Sequence, residues 1–136
     1  MGVTALCTLL VAVPGLTHLD IGYGYLREQG TALLAPVLKN MTRLHTLNMR
    51  YCTIGDRGMA LLAPALAALP HLHTLVLSNN RWGANAVPML WPLLAREGSP
   101  LHKLDLSWQL EYIPRSRGTV FGVRAEQRKT AARSHP

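Results

Sequence analysis

Apolar residues recur along this chain in two alternating rhythms, and the alternation itself repeats. Leu16, Leu19 and Ile21 are followed by Leu44, Leu47 and Met49, then by Leu72, Leu75 and Leu77, and last by Leu101, Leu104 and Leu106. Corresponding members lie 28 residues apart, or 29 at the last step. The last two positions of each triplet are separated by one residue, the spacing of a short strand with one buried face. A second rhythm follows every triplet: Leu34 and Leu38, then Leu62, Leu66 and Leu69, then Leu90 and Leu94, at three- and four-residue steps that place them on one face of a helix. Two further columns, Leu26, Ile54 and Trp82 and then Gly30, Gly58 and Ala86, keep the same interval. Each unit is therefore predicted to be a strand followed by a helix. Stacking the units buries a shared core, with a curved parallel sheet inside and helices outside, an α/β solenoid of about three to four repeats.

The residue that ends each strand segment reads Gly24, Cys52, Asn80 and Gln109. Asn suits a bend of this kind because its amide can satisfy backbone groups that the turn leaves unpaired. Cys52 fits the slot as a small buried thiol. Pro36, Pro64 and Pro92 keep the period inside the predicted helices. A proline within a helix removes a hydrogen bond and costs ~3 kcal/mol, so these helices are expected to be short or bent at that column.

The columns divide residues 1–109 into a partial unit at 1–15, units at 16–43, 44–71 and 72–100, and a partial unit at 101–109. Gly2, Leu6 and Leu10 match Gly30, Leu34 and Leu38, so the chain opens in the helical half of a unit. After Leu106 no helix matches. Residues 110–136, with Pro114, Gly118, Gly122 and few aliphatics, read as a disordered tail. Neither end shows the polar cap that closes most solenoids, so the sequence is expected to be a fragment. Its last strand is expected to expose an edge capable of self-association.

Charge sharpens this division. Of the net +7, residues 1–109 carry eight Lys and Arg against five Asp and Glu, and residues 110–136 carry six against two. The repeating body is only mildly basic, which points away from a nucleic-acid surface there and leaves the tail as the place for one. Two cysteines, Cys7 and Cys52, suit a reducing, cytoplasmic setting and not a disulfide framework. No apolar run reaches the ~18 residues of a membrane span.

The pattern Leu-x-x-Leu-x-Leu-x-x-(Asn or Cys), with Ile54-Gly55-Asp56-Arg57-Gly58 followed by Leu61-Leu62-Ala63 and Leu66, resembles leucine-rich repeats of the ribonuclease-inhibitor type. That class includes an inhibitor of ribonucleases, the ligand-sensing ends of NOD-like receptors and the activating proteins of the GTPase Ran. The resemblance covers residues 1–109 and implies a horseshoe that binds other proteins. Gly24 and Gln109 depart from the turn preference, and the fourth helix is missing.

Candidate chemistry is sparse. His45, His73 and His102 share a column at the strand entry, which stacked strands would space at ~4.8 Å. No carboxylate or thiol shares it, so the column reads as exposed polar positions, as Thr17 does, and not as a metal ladder. Gly22-Tyr23-Gly24 opens a dinucleotide-like glycine string, but Arg27 stands where the third glycine belongs. Asn40-Met41-Thr42 is a glycosylation sequon that would go unused in the cytosol. No nucleophile elbow or enforced acid–base pair is present, so neither an enzyme, nor a cofactor, nor a small-molecule substrate is expected.

What remains is the face that the strands turn away from the core. Its columns hold Asp20, Asn48 and Asp105, then Arg50 and Ser78, with Lys103 beside them and Tyr23, Tyr51, Asn79 and Trp108 just beyond. Aromatic residues flanked by Arg50 and aspartates have the composition of a protein contact surface. The expected function is an intracellular interaction module that binds a partner protein on the concave sheet. The resemblance also implies a Ran-type GTPase activator, which needs an N-terminal cap and catalytic loop residues that this sequence does not match. The basic tail offers nucleic-acid binding as a third reading.

Overall fold

The computed structural model describes residues 2–107. Its elements alternate as expected from the two rhythms: α1 (Gly2–Val11), β1 (His18–Asp20), α2 (Arg27–Lys39), β2 (Thr46–Asn48), α3 (Gly55–Ala67), β3 (Thr74–Val76), a 3-10 helix (Ala84–Leu90) running into α4 (Trp91–Ala95), and β4 (Lys103–Asp105). The strands form one parallel sheet in chain order, with Leu19, Leu47, Leu75 and Leu104 in register. These leucines and the helix leucines Leu34, Leu62 and Leu90 are buried together in one core. No helix of the described residues is long and apolar enough to cross a membrane.

The three-residue strands understate the ladder that joins the units. The Tyr23 N–H donates to the Arg50 carbonyl at 2.8 Å, Tyr51 to Ser78 at 3.1 Å and Asn79 to Ser107 at 3.0 Å. At the other end the His45, His73 and His102 N–H groups donate to the carbonyls of Thr17, His45 and His73, at 2.7 to 2.8 Å. Even helix starts are tied across units. α2 and α3 have no side-chain cap, but the Arg27 N–H reaches the Cys52 carbonyl at 3.0 Å and the Gly55 N–H reaches that of Asn80 at 2.9 Å. Amides that a helix start leaves orphaned are thus satisfied by the next unit's turn.

The turn column behaves as its chemistry requires. Buried Asn80 accepts from the Cys52 N–H at 2.7 Å and donates to the carbonyls of Met49 and Leu77 at 2.8 and 2.9 Å. Cys52 is buried, and its thiol donates to the Ile21 carbonyl at 3.2 Å. Burial pushes the Cys52 thiol above its ordinary pKa, and both cysteines are free, with Cys7 only half-buried.

The proline column does not shorten two of its three helices. α2 and α3 run 13 residues through Pro36 and Pro64. Each proline lies in the closing part of its helix, and the buried residues Leu38 and Leu66 hold the following turn against the core. Only the third unit is broken, where Pro92 enters the first turn of α4 after the 3-10 segment. There its missing N–H removes no helical bond. The tail at 110–136, the missing fourth helix, Gln109 and the self-association edge beyond β4 lie outside the described residues.

Candidate functional site

Where the strands end, the chain makes the same bend three times. Tyr23, Tyr51 and Asn79 all have left-handed backbone angles, with φ of 63°, 55° and 58°. Tyr25, Thr53 and Arg81 repeat this two residues later, at 47°, 54° and 62°. Non-glycine residues in this region carry ~1–2 kcal/mol of steric cost, which the interlocked ladder must hold in place. The candidates of the Asp20 column support the bend from one side. The Asp20 carboxylate accepts from the Gly22 N–H at 2.9 Å, Asn48 from Arg50 at 3.1 Å, and Asp105 from Ser107 at 3.0 Å. Val76 takes this column in the third unit and cannot make that bond.

The ladder brings two of the aromatic candidates together. The Tyr23 N–H bond to Arg50 sets their strands one spacing apart, and the Tyr23 and Tyr51 rings stack with centroids 4.6 Å apart and planes 13° from parallel. The Arg50 guanidinium lies over the Tyr23 ring, 5.9 Å from its centroid, within cation–π range. Tyr23 and Arg50 are exposed and Tyr51 is half-buried. Asp20 is exposed on the neighbouring strand, and Lys103 and Asp105 stand at the far side of the sheet on β4.

Ser78 and Asn79, expected among the partner contacts, are buried, with 2 % and 8 % of their surface exposed. In the preceding unit the aligned Arg50 is exposed and Tyr51 half-buried, so the second unit and not the third offers side chains at these columns. Trp108 lies outside the described residues. Arg57 is exposed at the start of α3, 3.8 Å from Glu28 on α2, on the helical side of the molecule.

At the opposite end of the strands, the histidine column, read from the sequence as exposed polar positions, forms a second stack. The His45 and His73 rings lie 5.0 Å apart and nearly parallel, and His73 and His102 are 5.2 Å apart and tilted. Among the described residues, no group of His, Cys, Asp or Glu is placed to hold a metal ion. The signal missed in the sequence was His71, outside the column, whose ring meets that of His45 edge-on at 6.0 Å.

A family model described as a leucine-rich repeat matches residues 40–63. Among solved structures, that of leiomodin-1 actin-binding site 2 matches with a TM-score of 0.69 at 14% sequence identity, over 93% of this chain and 69% of that one. The fold is a leucine-rich repeat solenoid. A search of curated proteins finds no match to the sequence. In solenoid terms, the tyrosine stack sits on the rim where strands leave for the helices, the histidine stack on the rim where they enter, and the sheet lies between them.

Proposed function

We propose that this chain is a non-catalytic, intracellular protein-interaction module of the ribonuclease-inhibitor-like subclass, and that it binds a partner protein on the concave sheet around Tyr23, Arg50 and Tyr51. The observation that carries this reading is the stacked tyrosine pair with the Arg50 guanidinium over its outer ring. Large, pre-ordered aromatic surface beside a guanidinium loses little side-chain entropy on binding and supplies directed hydrogen bonds, which is why such residues dominate contact hot spots. Asp20, Asn48, Lys103 and Asp105 supply polar contacts around it. The fold likeness to leiomodin-1 actin-binding site 2 makes actin the first partner to assay.

Co-sedimentation with filamentous actin and pull-down from cell extract supply the partner, and alanine variants then locate the contact. Tyr51→Ala and Arg50→Ala are each expected to weaken binding by ~2 kcal/mol, about thirtyfold. Arg57→Ala, on the helical side, should bind as wild type does. If both concave variants keep their circular dichroism spectrum and bind unchanged, the concave assignment is wrong.

A further inference from the structure

The entry rim has a composition of its own. The backbone ladder from Thr17 through His45 and His73 to His102 fixes one residue of each unit at strand spacing, and three of those four are imidazoles. Thr17, Thr42, Arg43, His45, Pro70 and His71 line an open depression beside this stack. One guanidinium, two imidazoles and two hydroxyls thus face the space, with no carboxylate among them. The elements around it bring further cations. His18 stands on β1 with its Nδ1 2.9 Å from the Thr17 hydroxyl, His73 precedes β3, His102 precedes β4 and Lys103 opens it. Glu97, on the connection into β4, is exposed, and no ion pair among the described residues joins it to this group. The carboxylates of Asp20 and Asp105 are engaged at the other end of their strands by the Gly22 and Ser107 amides.

A row of stacked imidazoles is stable while uncharged, and each added proton makes the next harder to place. His45 is accordingly held below its ordinary pKa of 6.5, by partial desolvation first and then by the charges of His73, His71, His18 and Arg43. A bound anion reverses the electrostatic part of that effect. It favours the protonated ring and so takes up protons as it binds.

We propose that this entry rim binds an acidic segment of a polypeptide, with carboxylates set against Arg43, His45 and His71. Charge complementarity chooses the occupant, since every ionisable group lining the depression is cationic or becomes so on protonation. The inference deepens the concave-face reading, because the same partner would cross the three-residue strands from one rim to the other. It is tested separately. Affinity should rise as pH falls through the anion-bound pKa of His45, and level off below the depressed pKa of that ring in the free protein.

The probe is a fluorescein-labelled octaglutamate peptide, titrated with the full chain by anisotropy between pH 7.5 and 5.5 at constant ionic strength. Affinity is expected to increase about tenfold over that range. In the double variant His45→Gln/His71→Gln the increase should shrink to less than about threefold. Arg43→Gln should lower affinity at every pH and keep a rise on acidification, displaced toward higher pH because the Arg43 charge no longer depresses His45. Residues 110–136 add Arg and Lys, whose charge is constant in this range, and one imidazole, His135, so His135→Gln serves as a control that should leave the slope unchanged. Arg57→Ala, on the helical side, should leave octaglutamate binding intact, and the peptide's pH slope is read apart from the effect of Tyr51→Ala on the partner protein, so failure of the concave reading and failure of this one are distinguishable. If the double variant does not fold, exposed His71→Gln alone should reduce the slope. A wild-type affinity that does not change with pH, a slope that survives the histidine substitutions, or equal binding of an octalysine peptide would each overturn the proposal.

Discussion

Asn80 occupies the point where the third turn leaves the sheet, and its amide works in both directions. The oxygen accepts the Cys52 N–H, and the nitrogen donates to Met49, Leu77 and Ser78, so one buried side chain closes bonds in two units. Removing it leaves several buried backbone groups without a partner, and water cannot reach them. Asn80→Ala is expected to cost about 3 kcal/mol in urea denaturation. Asn80→Asp should cost more, because a carboxylate cannot donate to those carbonyls and brings a charge into the core. If Asn80→Asp were as stable as wild type, the donor half of this assignment would fail. Cys52, in the equivalent position, shows a lesser form of the same role, with a single weak thiol donor to Ile21 and Arg50.

Between elements, the packing of helix on helix depends on a small residue near each helix start. A methyl group added at Gly58 would lie 2.6 Å from Cγ2 of buried Ile54 and 3.5 Å from the Thr31 hydroxyl on α2. Ile54 is β-branched and enclosed, so it cannot swing aside. The ~1 kcal/mol of helix propensity that alanine adds is opposed by an overpacking cost of ~1–3 kcal/mol. Gly58→Ala is therefore expected to lower stability by about 1 kcal/mol. At Gly30 the nearest atoms, on Leu26 and Val3, are 3.1 Å away, and Gly30→Ala should be closer to neutral. Thermal melts of the two variants check the order, and a more stable Gly58→Ala protein would contradict the packing argument. The proline column belongs to the same scale. Periodicity located it, but whether a helix continues through a proline depended on the buried leucines that follow.

For the molecule as a whole, the units behave as a row in which each contacts only its neighbours. The unit containing β2 and α3 has a described strand and helix on both sides, whereas among the described residues β1 pairs only with β2, and α1 carries Leu9 and Val11 more than half exposed. Local opening should follow that gradient. Amide exchange is expected to be slowest at Leu47, Met49 and their helix partners in α3, and at least about tenfold faster in α1. Uniform protection from α1 to α3 would show that the row unfolds as a single unit.

The sequence by itself determined the order of elements, the in-register parallel sheet and the identity of the core columns. Apolar periodicity is a local property repeated four times, and any other register would expose Leu47 or Leu75. It also located Tyr23, Arg50 and Tyr51 at the end of their strands, because side-chain parity follows from the strand period. Only the tertiary structure decided what those positions amount to. Ser78 and Asn79 share the columns of Arg50 and Tyr51 yet are buried, so position in the repeat does not by itself set exposure. The two tyrosines form one surface because the backbone ladder runs on past the strands, into turns whose left-handed residues no hydrophobic pattern marks. His71, off the period altogether, joins the histidine row through the path of the loop before β3, and only folding brings a residue outside the repeat against one inside it.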